Sequence, residues 1–263
     1  MRLFAIFGDP VEHSRSPLMH NLAFKALRFN ACYTRVHLKD GSKLRERFLD
    51  LSLSGANVTV PHKEEAFKAC DEVRGYAKKL GVVNTIVLED GKLIGYNTDA
   101  DGFVHSIAEF TRIKRVLLLG SGGTAKALAP KLTECGYKVV VLNRSQNGLD
   151  HLRSAGIECY THDEFSSHNF DLVLNTTSAG LSDDSLPARE DLLRDLLQSA
   201  LLAYDVIYGK MTPFLELAKS LGVEYKDGSS MLLAQGVLAN RLFTQNLFSV
   251  DEIEPEMRRS FLL

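Results

Sequence analysis

The sequence predicts an α/β fold in two units. Short apolar runs alternate with helical patterns along 263 residues, a length that suits two modest domains, each with its own core. The run KRVLLLG, a helical stretch GTAKALAPKLTECG and a second apolar run YKVVVLN open a new strand–helix–strand series near Ile113. Neither half recognisably repeats the other, and no low-complexity segment appears.

The elements follow in order. Residues 2–7 (RLFAIF) read as a strand entering a turn at Gly8-Asp9-Pro10. A helix is expected from about Pro17, with proline suited to the first turn and Leu18, Leu22, Ala26 and Phe29 near helical spacing. Residues 33–38 and 55–60 read as strands and 44–51 as a helix, with Pro61 stopping the third strand. Helical stretches follow at 64–70 and 73–80. Residues 84–88 and 93–96 then read as strands around the turn Glu89-Asp90-Gly91-Lys92. Alternation of this kind predicts a mainly parallel sheet. In the second half FDLVLN and LLAYDVI supply further strands with helical segments between them. Pro130 should bend the helix after KRVLLLG, because it removes one backbone hydrogen bond. Residues 231–246 are helical in pattern.

Composition excludes several classes. Apolar residues are 45%, charged residues 24% and the net charge is −2, which gives no broad attraction to nucleic acid or an acidic membrane. No apolar stretch approaches the ~18 residues of a membrane span, and the opening run is too short for a signal peptide. The cysteines Cys32, Cys70, Cys135 and Cys159 lack metal-ligand spacing, as expected of neutral thiols in a reducing cytoplasm. No metal is expected.

The sharpest local signal is Gly120-Ser121-Gly122-Gly123-Thr124-Ala125, a G-x-G-x-x-A pattern between strand and helix. Gly120 permits a tight turn and Gly122 lets the backbone approach a pyrophosphate. Ala125 allows close helix–sheet packing, and the helix start offers unpaired N–H groups to the anion. The next strand ends Asn143-Arg144-Ser145, where NAD sites carry an acidic residue and a 2′-phosphate favours arginine. NADP is therefore favoured over NAD.

Three polar clusters occupy the first half. His13-Ser14-Arg15-Ser16-Pro17 sets two hydroxyls beside a helix start, which can bind a carboxylate, although helix capping by Ser16 explains the same residues. Asn57-Val58-Thr59-Val60-Pro61-His62-Lys63 ends a strand with Asn57 and Thr59 on one side. Lys63 falls at a helix start, where the dipole disfavours a cation and suits an amine to acid–base work. Asn97-Thr98-Asp99-Ala100-Asp101-Gly102 resembles the front of a calcium loop, yet Ala108 stands where that loop needs Glu. Asp99 fits better as a carboxylate at a strand end. Three such clusters at strand-to-helix junctions point to one crevice.

These clusters, in this order and ahead of LGSGGTAKA, resemble the shikimate dehydrogenase family. GVVNT, NTTSAG, DVIYGKMTPF and MLLAQG extend the resemblance over essentially the whole chain. It implies a substrate domain of residues 1–102 and 229–263 and a Rossmann-like NADP domain of residues 103–228, with a C-terminal helix returning to the first. It implies that Ser14 and Ser16 hold the substrate carboxylate, that Asn57, Thr59, Asn84 and Gln235 orient its hydroxyls, and that Lys63 and Asp99 are the catalytic pair. Tyr208 would lie near the substrate across the cleft. Cofactor contacts would come from the 120–125 loop, Asn143, Arg144, Ser145 and Thr176. The implied reaction is NADPH-dependent reduction of 3-dehydroshikimate to shikimate, by a cytoplasmic monomer or homodimer with no nucleic-acid or membrane partner. The family often adds a basic residue soon after the Asn-Arg segment; here Gln146, Asn147, Gly148 and Leu149 supply none, and Lys126 is a candidate substitute. A quinate/shikimate dehydrogenase using NAD and a non-catalytic shikimate-binding protein are the competing readings.

Overall fold

The structure, a computed structural model, describes residues 1–166 and 169–263. The chain forms two compact units, Met1–Gly102 with Leu233–Leu263, and Phe103–Leu232.

The first unit contains strands β1 (Arg2–Gly8), β2 (Ala31–His37), β3 (Gly55–Val58), β4 (Glu72–Val73), β5 (Thr85–Glu89) and β6 (Lys92–Tyr96). Its helices in the same stretch are α1 (Ser16–Ala26), α2 (Leu44–Asp50), α3 (Lys63–Ala69) and α4 (Tyr76–Leu80), with α5 (Asp99–Ser106) beginning after β6. The sheet order is β2-β1-β3-β5-β6-β4. β1 pairs in parallel with β2 and β3, while β5 runs antiparallel to both β3 and β6. The sheet is mainly parallel, as expected, because β4 also pairs in parallel with β6 and β5 alone runs the other way. The hairpin through Asp90 and Gly91, both at positive φ, reverses the chain and makes the sheet mixed.

Successive residues of β1 feed opposite faces of the sheet. Ala5 and Phe7 join Leu44, Phe48, Ala66 and Ile86 on one side. Phe4 and Ile6 join Phe24, Tyr33, Ala239 and Phe243 on the other. A strand covered on both faces must be apolar throughout, which is why RLFAIF does not alternate. Helix α1 buries Met19, His20, Ala23 and Phe24, while Leu18 stays 36% exposed. The helix exists as expected, but the face inferred from Leu18 and Leu22 is displaced from the one that packs. The 73–80 helix is shortened to α4 because Glu72 and Val73 pair with Ile94 and Gly95.

The second unit contains β7 (Arg115–Leu119), α6 (Gly123–Glu134), β8 (Lys138–Asn143), α7 (Leu149–Ser154), β9 (Glu158–Thr161) and β10 (Leu172–Asn175). It continues with α8 (Glu190–Gln198), β11 (Leu202–Asp205), α9 (Pro213–Ser220) and β12 (Glu224–Lys226). All six strands are parallel, in the order β12-β11-β10-β7-β8-β9. This is the doubly wound dinucleotide-binding order, which reverses between β7 and β10. Leu192, Leu193, Leu196 and Leu197 of α8 and Phe214, Leu215 and Leu217 of α9 cover one face. Helix α6 runs through Pro130 to Glu134. β9 and β12 are edge strands of four and three residues, too short to stand out as apolar runs.

The chain ends with α10 (Ser229–Phe243) and α11 (Val250–Arg258). α11 starts at a capping box in which Ser249 and Glu252 exchange hydrogen bonds, a readable signal that the sequence reading passed over.

Candidate active site

In the first unit Lys63 is the first residue of α3 and Asp99 the first of α5. Asp99 therefore opens a helix rather than ending a strand, held there by the Asn97 side chain, which accepts the Asp99 N–H at 3.1 Å. A carboxylate suits a helix N-terminus and an ammonium does not. The structure resolves the conflict by pairing them: Lys63 Nζ donates to Asp99 Oδ2 at 2.6 Å. Their side chains are 31% and 19% exposed, so the pair is partly shielded yet reachable.

Behind the pair lies a buried amide network. Asn84 Oδ1 accepts from the Thr98 N–H at 2.8 Å and from Thr85 Oγ1 at 2.9 Å, and its Nδ2 donates to Thr98 Oγ1. Asn57 Nδ2 donates to the Asn84 carbonyl and Thr85 Oγ1, while its Oδ1 accepts from the Tyr33 hydroxyl at 2.7 Å. Every hydrogen-bonding atom of these amides faces a defined partner, which sets how each amide is turned. Tyr33 escaped the sequence reading because it sits mid-strand with no motif around it. Burial pushes its hydroxyl well above the usual range, so it stays protonated and can donate.

Ser14 and Ser16 are both buried. Ser16 does not cap α1: it is the first helical residue, and its N–H donates to Ser14 Oγ at 3.3 Å. The Ser14 carbonyl accepts from Arg35 Nη2 at 2.6 Å and Nε at 3.1 Å. Thr59 follows β3, half-buried, with its N–H donated to the Phe7 carbonyl. Gln235 lies on α10, directly against α5. A Cβ on Gly102 would come within 2.7–2.9 Å of Gln235 N, Cβ and Cα, so only glycine permits this approach.

In the second unit Gly120 turns at φ +102, as a tight turn requires. A Cβ at Gly122 or Gly123 would meet nothing within 4 Å, which leaves the start of α6 open to a diphosphate. Thr124 lies in the first turn of α6, and Ala125 is fully buried against the sheet. Asn143 closes the loop after β8 by donating to the Ser145 and Asn147 carbonyls. Ser121 Oγ donates to the same Asn147 carbonyl at 2.9 Å, which ties that loop to the glycine turn. Arg144 and Ser145 are exposed. Thr176 is buried, its hydroxyl donated to the Leu119 carbonyl at 2.7 Å.

Tyr208 stands half-buried in the loop after β11. That loop is anchored by Asp205, the buried acid that opens the DVIYGKMTPF segment. Asp205 accepts from Asn175 Nδ2 at 3.0 Å, Thr212 Oγ1 at 2.7 Å and the Ile207 N–H at 3.0 Å. Burial raises its pKa, against the pull of those three donors. No group of three or more metal-ligating side chains occurs among the described residues. No described helix is long and apolar enough to cross a membrane.

Residues 6–86 match the family model of the shikimate dehydrogenase substrate binding domain. The chain is 45% identical over 98% of its length to the shikimate dehydrogenase (NADP(+)) of Helicobacter hepaticus, covering 97% of that protein. It is 43% identical to the enzyme of that name from Helicobacter pylori strain 26695, with 99% of each chain covered. The fold superposes on shikimate 5-dehydrogenase of Thermus thermophilus, solved with NADP(H) and shikimate, at a TM-score of 0.86 and 33% identity, covering 99% of this chain and 100% of that one. A full-length relationship of this kind, joined to the doubly wound second unit, places the chain in the shikimate dehydrogenase family.

Proposed function

We propose that this chain catalyses the reversible NADPH-dependent reduction of 3-dehydroshikimate to shikimate, a step in aromatic amino-acid biosynthesis. The observation that carries the reading is the 2.6 Å contact of Lys63 with Asp99 beside the buried asparagines, in a chain whose full-length relatives bear that activity's name.

The residues fit the cofactor. The open start of α6 suits its diphosphate, and Arg144 suits its 2′-phosphate. Bound there, NADPH would supply the hydride that reduces the ketone carbon. The substrate oxygen then needs a proton as negative charge develops on it. The Lys63 ammonium donates that proton and stabilises the charge before transfer. Asp99 keeps the ammonium in place and can accept a hydrogen bond from the substrate hydroxyl. In the reverse direction Lys63, deprotonated, takes the proton back. Ser14 and Ser16 bind the carboxylate, while Asn57, Thr59, Asn84 and Gln235 orient the ring hydroxyls. Residues 1–102 with 229–263 form the substrate domain and residues 103–228 the cofactor domain. The protein acts in the cytoplasm as a monomer or homodimer.

Absorbance of the reduced cofactor, followed with shikimate or quinate paired with NADP or NAD, tests this directly. Turnover strongly favouring shikimate with NADP is expected. Preference for NAD would mean that Arg144 without a second basic residue does not select the 2′-phosphate. Bound shikimate without turnover in any pairing would replace the enzyme reading with a binding protein.

A further inference from the structure

Arg15 lies between the two serines assigned to the substrate carboxylate, and its contacts reach the end of the chain. It occupies the position before α1 where a capping side chain would serve, yet makes no capping hydrogen bond. Its guanidinium instead donates through Nη2 to the Ser260 carbonyl and stands over the Phe261 ring, 5.4 Å from the centroid. Ser260 is fully buried in the turn Arg259–Leu262 that follows α11. That turn cannot drift independently of α1. Ile253 and Met257 of α11 are fully buried, and a Cβ on Gly236 of α10 would meet Met19 of α1 at 2.8 Å and Met257 at 3.7 Å.

The other side of the same loop is also held. Arg35 of β2 grips the Ser14 carbonyl through two nitrogens. Ser14 is thus held through its own carbonyl by a guanidinium from the sheet, and Arg15 through its own guanidinium by a carbonyl near the C-terminus. An anchor with structural duty alone would be met more cheaply by an apolar side chain, because Arg15 Nε is buried without a hydrogen-bond partner.

We propose that Arg15, joined to Ser260 and Phe261, is a positioning residue for the carboxylate site, holding the Ser14–Ser16 turn ready before substrate arrives. The proposal rests on the shikimate dehydrogenase reading. Two hydroxyls recognise a carboxylate only while their spacing is kept, and a loop ordered in advance loses little further freedom on binding. Releasing the C-terminus should therefore weaken the ground-state grip on shikimate more than it slows turnover.

Steady-state kinetics of the full-length enzyme with shikimate and NADP make the test, on Arg15→Ala, a chain ending at Arg259, and the two combined. Ser14→Ala serves as the reference for a direct carboxylate ligand. Arg15→Ala and the shortened chain should each raise the shikimate KM about tenfold, the scale of one lost hydrogen bond to a charged group, while kcat changes far less. The combined variant should be no worse than either alone, because the three residues act as one unit. Phe261→Leu keeps the apolar packing and removes only the ring under the guanidinium, so it should raise the same KM by a smaller factor even where the truncation unfolds. If Ser14→Ala raises the shikimate KM and neither Arg15→Ala nor Phe261→Leu does, the positioning role is wrong and the serine assignment stands. A Ser14→Ala enzyme with unchanged KM overturns the assignment and the proposal together. Multiplying losses in the combined variant would show that Arg15 and the C-terminus act separately.

Discussion

At the scale of single residues, the site sets groups that titrate or donate protons against others that only hold geometry. Lys63 belongs to the first kind. Replacing it with alanine should lower kcat by ~10²-fold or more, the usual scale for lost acid–base help, and a loss of only a few-fold would remove it from that role. His20 belongs to the second. Its ring stacks on Tyr33 at 4.4 Å and 2°, and Asn240 Nδ2 lies 3.1 Å from its Nδ1. Asn240 can donate there only to an unprotonated nitrogen, so the neutral ring fits the site. Burial pushes the His20 pKa from 6.5 down to about 3, against an opposing hydrogen bond with Asn57. Between those values the unfolded chain binds the proton more tightly, so stability rises with pH across the window. The contribution is complete above about 6.5 and is lost as the pH falls toward 3. Between pH 6.5 and pH 5 the parent should lose up to about 2 kcal/mol more stability to urea unfolding than His20→Phe does, since one pKa unit is worth about 1.36 kcal/mol. Parallel pH profiles would mean that His20 titrates normally.

At the scale of elements, the close approach of α5 and α10 decides where Asp99 and Gln235 sit. The Gly102 contact with the Gln235 backbone leaves no room for a methyl group. Gly102→Ala should cost about 1–3 kcal/mol in urea unfolding, as overpacking does, and should raise the shikimate KM by moving Gln235. Unchanged stability would show that the helices yield freely at that point. Most elements of this unit were legible, because β1, β3, β5 and β6 are apolar runs bounded by Gly, Pro or Asp-Gly turns. The packed face of α1 was not. Leu18 and Leu22 have the spacing of a core stripe, but the face carrying Met19, His20, Ala23 and Phe24 meets the sheet. Which of two plausible stripes is buried depends on what the helix packs against, and helical period alone does not contain that.

At the scale of the whole molecule, the first unit is discontinuous, and its core is closed by residues far along the chain. Phe243 of α10 lies 4.7 Å from Phe4 and 5.4 Å from His20, ring to ring, and fills the space over Gly55. Phe243→Ala should therefore cost about 3–5 kcal/mol in unfolding free energy, the range for a buried aromatic. A loss below about 1 kcal/mol would mean that the N-terminal residues pack without the C-terminal helix. The second unit, by contrast, is continuous from Phe103 to Leu232 and takes its strand order from successive strand–helix steps.

The sequence by itself determined the α/β class, the glycine loop at a strand-to-helix junction and the motif series from Ser14 to Gln235. All of these are written in local spacing, where the geometry of one turn demands particular residue types. Only the tertiary structure decided that the first sheet is mixed, that Asp99 meets Lys63 at a helix start, and that Tyr33, Arg35, Asp205 and Ser260 support the site. Tyr33, Arg35 and Ser260 lie outside those motifs, and Asp205 opens the DVIYGKMTPF segment; their hydrogen bonds to Asn57, Ser14, Arg15 and Asn175 join different elements of the fold. Such partnerships are set by packing, and packing exists only once the chain has folded.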